Sequence, residues 1–235
     1  MRSSHRRWNA RRFGAMVATT VVASGVLVGP AHAAPLPTGG ITRISPDGSA
    51  MSAQIDDSGR IVAYLQGATH NVMLSDGGSV HRLVADAQAR DLAISGDGNT
   101  IVFSTDRSLL PADADNLSDV YASDRSGNLR IVSGGLSANA GGFSPAVNAN
   151  GGVVAFSAGA LIPGPGIRSI FVAEGGNLAQ GAVDNGGADS VNPSISNDAR
   201  TVAFELAGSN AAGVYLWDRG APKATMATGG GHGSR

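Results

Sequence analysis

The sequence has no cysteine, only two Glu, and few aromatic rings. Aromatic residues make up 5% of its 235 positions and charged residues 15%. Without thiols the chain builds no disulfide scaffold, no zinc ribbon and no cysteine nucleophile. A charged fraction well below the ~25% of ordinary soluble domains excludes a charged coiled coil and most charge-driven disorder. The pairing of two Glu with 16 Asp disfavours helices, because Asp suits turns where Glu suits helical interiors. Present instead are 34 glycines and an apolar content of 42%, enough for a core. Composition thus specifies an architecture and an address, and no chemistry.

Residues 1–33 read as an export signal. Arg2, Arg6, Arg7, Arg11 and Arg12 precede the apolar run Ala15–Val28, and Ala31-His32-Ala33 stands before Ala34. A bilayer core of about 30 Å takes roughly 20 helical residues, more than this run offers. Cleavage between Ala33 and Ala34 is therefore expected, leaving no stable membrane span; Pro30 and the Ala-x-Ala site argue against an uncleaved anchor. Arg11-Arg12-Phe13 admits a twin-arginine route, but the rest of that motif is missing, which favours general secretion. Removing the signal takes five of 17 basic residues and none of the 18 acidic ones, so the mature chain carries 12 against 18, a net of −6. An acidic chain without a basic stripe is not expected to bind nucleic acid.

Four segments align without gaps: Ile55–Tyr64, Ile94–Phe103, Val147–Phe156 and Ile195–Phe204. Their first residues lie 39, 53 and 48 apart, and so do their terminal aromatics. In each, a β-branched residue closes one strand, a turn follows, and a Val/Ile/Ala/aromatic run opens the next. Gly59, Gly98 and Gly151 supply the positive φ of tight turns. The fourth copy has Ala199 there, which predicts a different turn type. A third strand is expected at Asn71–Ser75, Asp119–Ser123, Ser169–Ala173 and Gly213–Trp217, and a fourth at Val80–Val84, Leu129–Ser133, Leu178–Val183 and Ala224–Thr228. Four strands per unit at a period of about 40–50 residues indicate propeller blades. Runs such as Ile101-Val102-Phe103 lack polar alternation, as expected of strands covered on both faces by stacked blades.

The expected organisation is a linker at 34–40, blades at about 52–84, 89–133, 142–183 and 190–228, an extra strand at 41–45, and a flexible tail at 229–235. The fold class is all-β: a β-propeller of about four 4-stranded antiparallel blades, either a closed small ring or an open partial propeller.

Within segment 89–133, the stretch Ala89–Phe103, then Leu109, Asp115-Asn116, Ser118–Tyr121 and Arg130–Ser133, resembles the WD40-like, TolB-type propeller repeat of exported bacterial proteins. The copies together cover most of the mature chain. This resemblance implies an extracytoplasmic setting and a binding or scaffolding role. The chain departs from the best-known member in lacking its N-terminal α/β domain, and from such propellers generally in showing four repeats where six or seven are usual. Three arrangements follow: four blades closing tightly, two chains completing one another, or an open arc that self-associates through its edges.

Candidate chemistry is sparse. The acidic stretch Pro111–Asp119 does not fit a calcium-binding hand, whose fifth, sixth and twelfth positions here are Leu117, Ser118 and Asp124; its Asp residues are expected to cap amides in a solvated turn. Ser95-Gly96-Asp97-Gly98 is similar to the Asp-box of sialidase-like propellers but lacks its intervening residue and Trp, and reads as a hairpin turn. No Gly-x-Ser-x-Gly, carboxylate pair or histidine pair with metal-ligand spacing is found, so no catalytic, cofactor or metal residue is assigned. His70, His81 and His232 are expected on the surface, Gly229–Gly233 in a frayed end, and Trp217 in core or rim packing. The chain ends soon after its last strand, which leaves no room for the hydrolase domain that follows some propellers. An exported, non-enzymatic protein that recognises a protein or envelope ligand through blade loops is the leading expectation; a secreted hydrolase or lyase with an acidic site on the propeller axis is the alternative.

Overall fold

Alternating apolar runs and turn residues give each repeat one antiparallel four-stranded sheet in the computed structural model. It describes residues 42–46, 49–136, 140–159, 167–181, 188–207 and 212–227. All of these lie within the unit Thr42–Arg235, which is distinct from the unit Met1–Ile41. Blade 1 comprises β1 (Ala50–Ile55), β2 (Ile61–Gln66), β3 (Asn71–Asp76) and β4 (Ser79–Val84); blade 2 comprises β5 (Leu92–Ile94), β6 (Thr100–Thr105), β7 (Asp119–Asp124) and β8 (Leu129–Ile131). In blade 3 are β9 (Gly142–Val147), β10 (Val153–Gly159), β11 (Arg168–Glu174) and β12 (Asn177–Gln180), and in blade 4 β13 (Asp189–Ile195), β14 (Thr201–Ala207), β15 (Gly213–Asp218) and β16 (Thr225–Met226). Strands pair in chain order within each blade, and among the described residues no strand of one blade joins the sheet of another. No helix occurs among these residues.

The turn between the first and second strands is built the same way four times. Asp56, Ser95, Asn148 and Ser196 each accept a side-chain hydrogen bond from the amide five residues on, at 2.8–3.0 Å. Their backbone carbonyls accept from Gly59, Gly98, Gly151 and Ala199. The three glycines have φ of 70–73°. Ala199 adopts the same left-handed conformation at φ 60°, so the different turn expected there is not formed; the shared hydrogen bonds hold Ala in a region that its Cβ disfavours. The turns also bond to one another from blade to blade: Asp57 N–H to Gly96 O (2.9 Å), Asp97 N–H to Ala149 O (2.8 Å), and Ala149 N–H to Asn197 O (3.3 Å).

Each blade presents a leading face to the next blade and a trailing face to the one before. Ile61, Ala63, Leu65, Val72 and Leu74 of blade 1 pack on Ile101, Phe103 and Tyr121 of blade 2. Val102, Val120 and Ala122 then pack on Val154, Phe156 and Phe171, and Ala155, Ile170 and Val172 on Val202, Phe204, Leu206 and Trp217. Stacked ring pairs centre the trailing faces: Phe103–Tyr121, Phe156–Phe171 and Phe204–Tyr215, with centroids 5.9–6.0 Å apart. With roughly 1.5–3 kcal/mol for each large apolar side chain removed from water, these three interfaces are the main source of stability in a chain without disulfides.

Blade 4 breaks the pattern on its leading face. Val214 and Leu216 are 43% and 40% exposed, although their equivalents in register (Val72 and Leu74, Val120 and Ala122, Ile170 and Val172) are buried. Glu205 is exposed on the same face, at the position that Leu65, Ser104 and Ser157 occupy when buried.

Two expectations need correction. Residues 42–45 form no strand, and Ile41 lies outside the described residues. The fourth strands are shorter than expected, closing at Ile131, Gln180 and Met226 in blades 2, 3 and 4. The chain beyond Ile131 turns away at once: Val132 and Ser133 direct their amides to Val120 O, and Leu136 bonds back to Ser133 O. The export signal with its Ala33–Ala34 junction, the linker and the tail at 229–235 lie outside the described residues.

Candidate functional site

The first strands of the blades, β1, β5, β9 and β13, stand side by side in chain order. In blades 1, 3 and 4 the strand carries a register shift, between Met51 and Gln54, between Phe143 and Ala146, and between Val191 and Ser194. A bulge re-aims side chains, and here each contains a residue in the left-handed region: Ser52 (φ 52°), Ser144 (φ 48°) and Asn192 (φ 51°). Asp91, just before β5, is the blade 2 equivalent. These four occupy one repeat position, three residues before Ile55, Ile94, Val147 and Ile195.

They meet in a groove of about 330 Å³ on the propeller axis, together with Gln54, Arg90 and the apolar Leu92, Pro145 and Pro193. Asp91 is held from two blades, accepting from Ser104 Oγ (2.9 Å) and from the Ser144 amide (3.1 Å). Arg90 is paired with Asp106. Asn192 donates through Nδ2 to Glu205 (3.4 Å). Left-handed backbone at a non-glycine costs roughly 1–2 kcal/mol, so three strained residues around one groove mark a place where packing and hydrogen bonds hold side chains at a fixed bearing. The groove offers amide, hydroxyl and guanidinium donors, and Asp91, the one lining carboxylate among the described residues, is already engaged. Such a surface has the donors to hold a polar group by hydrogen bonds.

The acidic stretch forms a second cluster. Asp113, Asp115 and Asp119 bring carboxylate oxygens within 4.8 Å of one another, with Asp113 and Asp119 each only 6% exposed. The turn expected to be solvated is exposed at Asp115 but buried at Asp113 and Asp119. Asp113 accepts from Ser108 Oγ (3.2 Å) and from the Tyr121 hydroxyl, which itself accepts from the Leu109 amide (3.1 Å). Asp119 accepts from Ser133 Oγ–H, whose oxygen in turn accepts from the Val120 amide (2.9 Å). Asp115 does cap an amide, that of Leu117 (2.9 Å). Burial pushes the Asp119 carboxyl above the usual range, and the charges of Asp113 and Asp115 push it further against the Ser133 hydrogen bond. Burial and donation to Asp113 also raise the Tyr121 phenol. Asp113 ties loop 108–119 to β7 through Tyr121, and Asp119 ties β7 to the segment after β8 through Ser133, while Asp115 caps the loop itself.

His70 sits half-buried at φ 44°, its Nδ1 3.0 Å from Ala89 O, and so links blade 1 to the start of blade 2 instead of lying free on the surface. His81 is exposed on β4. His232 and Gly229–Gly233 lie outside the described residues. Trp217 is 7% exposed, as its expected packing role requires, and its Nε1–H donates to Ala221 O (3.0 Å). Ser95-Gly96-Asp97-Gly98 forms the shared inter-strand turn described above. The axial residues escaped the reading of the sequence. Their signal was present as a polar residue three positions before the β-branched anchor in every copy, Ser52, Asp91, Ser144 and Asn192, but the aligned segments began too late to include it.

Among the described residues, sixteen antiparallel strands in four stacked sheets, with a polar groove where their first strands meet, define a β-propeller architecture. No protein-family model and no curated protein sequence matches the chain. Solved structures do share the fold. A protein assigned as TolB from Agrobacterium tumefaciens is 12% identical, with a TM-score of 0.58 over 75% of this chain and 61% of that one. TolB from Acinetobacter baumannii is 14% identical, with a TM-score of 0.52 over 75% and 43%. A puromycin hydrolase is 14% identical, with a TM-score of 0.52 over 74% of this chain and 28% of its own. The chain thus spans about three fifths or less of the length of each, and the likeness is one of fold.

Proposed function

We propose that the chain is an exported, non-enzymatic binding protein that takes a protein or cell-envelope ligand in its axial groove. The observation that carries this reading is the convergence of Ser52, Asp91, Ser144 and Asn192, one from each blade, on a single groove. Four equivalent polar positions held by bulged or interlocked backbone form a recognition surface, and concave sites at the meeting of repeated elements are where such folds bind ligands. The similarity to TolB structures supports a binding role. Against glycoside hydrolysis stands the lining itself: its one carboxylate among the described residues, Asp91, is fixed by Ser104 and Ser144, whereas glycoside cleavage needs two facing carboxyls.

The test has two arms. Unstructured peptides selected by display on the mature protein should lose at least tenfold in affinity on Ser144→Trp, which fills the groove, and retain it on His81→Ala at the far edge. Selected peptides indifferent to Ser144→Trp would remove the groove from the reading. Turnover of glycoside, ester or peptide substrates that disappears in Asp91→Asn would overturn the non-enzymatic assignment.

A further inference from the structure

The fourth strands form the outer rim of the blades, and the seams along that rim are not filled alike. At the seam of blades 3 and 4 the Trp217 indole packs so closely on Gly181 that a Cβ there would lie 2.8 Å from the ring. At the seam of blades 2 and 3 the strand registers place Ala173 where blade 4 has Trp217. Val132, whose amide bonds to Val120 O as that of Gly181 bonds to Ile170 O, stands where blade 3 has Gly181. These two smaller side chains become walls of a cavity of about 630 Å³. That volume falls within the ~300–1,000 Å³ of ordinary ligand sites.

The cavity owes its size to backbone that carries no side chains, since five of its lining residues are glycines. Gly175 and Gly176, at φ 56° and 83°, make the two-residue turn from β11 to β12, and a Cβ on either would meet nothing within 4 Å. Beyond β8 the chain runs through Gly135, where a Cβ would lie 3.5 Å from Leu178 Cδ2, so this segment bounds the cavity on the blade 2 side.

The rest of the lining divides into an apolar wall and one cation. Val132, Ala173 and Leu178 come from both blades and belong to the core cluster of this seam. Arg130 lies opposite Ala122 in register, on the side of blade 2 that packs against blade 3. Its equivalents in blades 1, 3 and 4 are His81, Ala179 and Thr225, so this seam alone carries a guanidinium at that position. Among the described residues Arg130 forms no ion pair. Glu174, the lining carboxylate, is already paired with Arg219 of blade 4 (2.5 Å).

We propose that this seam is a second binding site, separate from the axial groove, and that its ligand is a small monocarboxylate with an apolar body. A carboxylate matches the paired N–H donors of a guanidinium, and the single cation offsets its single charge. A phosphate dianion would keep an excess negative charge beside Glu174. The hydrocarbon body lies on Val132, Ala173 and Leu178 and leaves water as it does so.

The probe is octanoate, titrated into the whole chain by calorimetry, with octanamide as an uncharged counterpart of the same size. Octanoate is expected to bind at least tenfold more tightly than octanamide. Arg130→Gln changes an exposed side chain and keeps the fold intact. It should weaken octanoate at least tenfold and leave octanamide unaffected. Across butanoate, hexanoate and octanoate, affinity should rise by about two- to fourfold per methylene, as apolar burial requires. Ala173→Trp fills the cavity and should abolish binding, whereas Ser144→Trp in the axial groove should not alter it. Absence of heat with octanoate, equal affinity for octanoate and octanamide, unchanged binding in Arg130→Gln, or loss of binding in Ser144→Trp would each overturn the proposal.

Discussion

The repeated turn provides an internal experiment, because one backbone position recurs in different surroundings. Gly59 and Gly151 share φ near 73°, yet a Cβ on Gly59 would meet nothing within 4 Å, whereas one on Gly151 would lie 2.1 Å from Thr100 Oγ1 and 2.7 Å from Thr100 Cβ. Gly59→Ala therefore adds only left-handed strain of roughly 1–2 kcal/mol, offset by about 0.4–1 kcal/mol from a less flexible unfolded chain. The net loss is about 0.5–1 kcal/mol. Gly151→Ala adds overpacking of roughly 1–3 kcal/mol, because blade 2 must yield at β6, for a total near 2–4 kcal/mol. The reverse change, Ala199→Gly, relieves strain but gives up a buried methyl worth about 0.8 kcal/mol and adds unfolded-state freedom, so it should fall within about 1 kcal/mol of zero. Urea unfolding followed by tryptophan fluorescence ranks the three variants at equal m-value. If Gly59→Ala costs as much as Gly151→Ala, the close approach of neighbouring turns is not the source of the difference and the account of blade-to-blade contact fails.

Acid should destabilise the chain through the turns. At Asp56 and Asp97 burial raises the pKa, but hydrogen bonds from Ser58, Ile61 and Arg60, and from Ser95 and Asn99, outweigh it and hold both below the ordinary aspartate value of about 3.9. Their contribution is complete above that pH and is lost as pH falls through the lowered folded-state values, which thermal melts between pH 6 and 2 can follow; a Tm independent of pH below 4 would refute it. Asp119 has the opposite sign. Its raised pKa means that stability falls as pH rises through and above the ordinary carboxyl range, so Asp119→Asn should be neutral or stabilising at pH 7 and lose that advantage at pH 3, measured by the same melts. Trp217→Ala should cost about 3–5 kcal/mol by denaturant titration, as expected for emptying a buried indole site, and a loss under 1 kcal/mol would contradict its packing on Gly181.

The blades were legible in the sequence because each depends on local features: a β-branched anchor, a turn residue and an apolar run, repeated four times. What the sequence concealed depends on registers between distant strands. Ala199 read as an exception by its own propensity, yet hydrogen bonds at Ser196 impose the common conformation on it. Asp113 and Asp119 read as solvated because acidic loop residues usually are; their burial follows from Tyr121 and Ser133, whose approach no local rule predicts. Residues 42–45 have the composition of a strand, but among the described residues no edge receives them. The axial groove needed four residues about 40–50 positions apart to be considered together.

The carboxylate on the leading face of blade 4 bears on how such a chain can lengthen by gene duplication. Copying blade 1, 2 or 3 in place would yield a new sheet whose leading face is ready to be covered, since Leu65, Ser104 and Ser157 are already buried at that position. Copying blade 4 would force Glu205 into the new interface, at a desolvation cost of several kcal/mol that its one long hydrogen bond from Asn192 does not offset. Repeats of this kind can therefore be inserted within the array far more readily than appended to it.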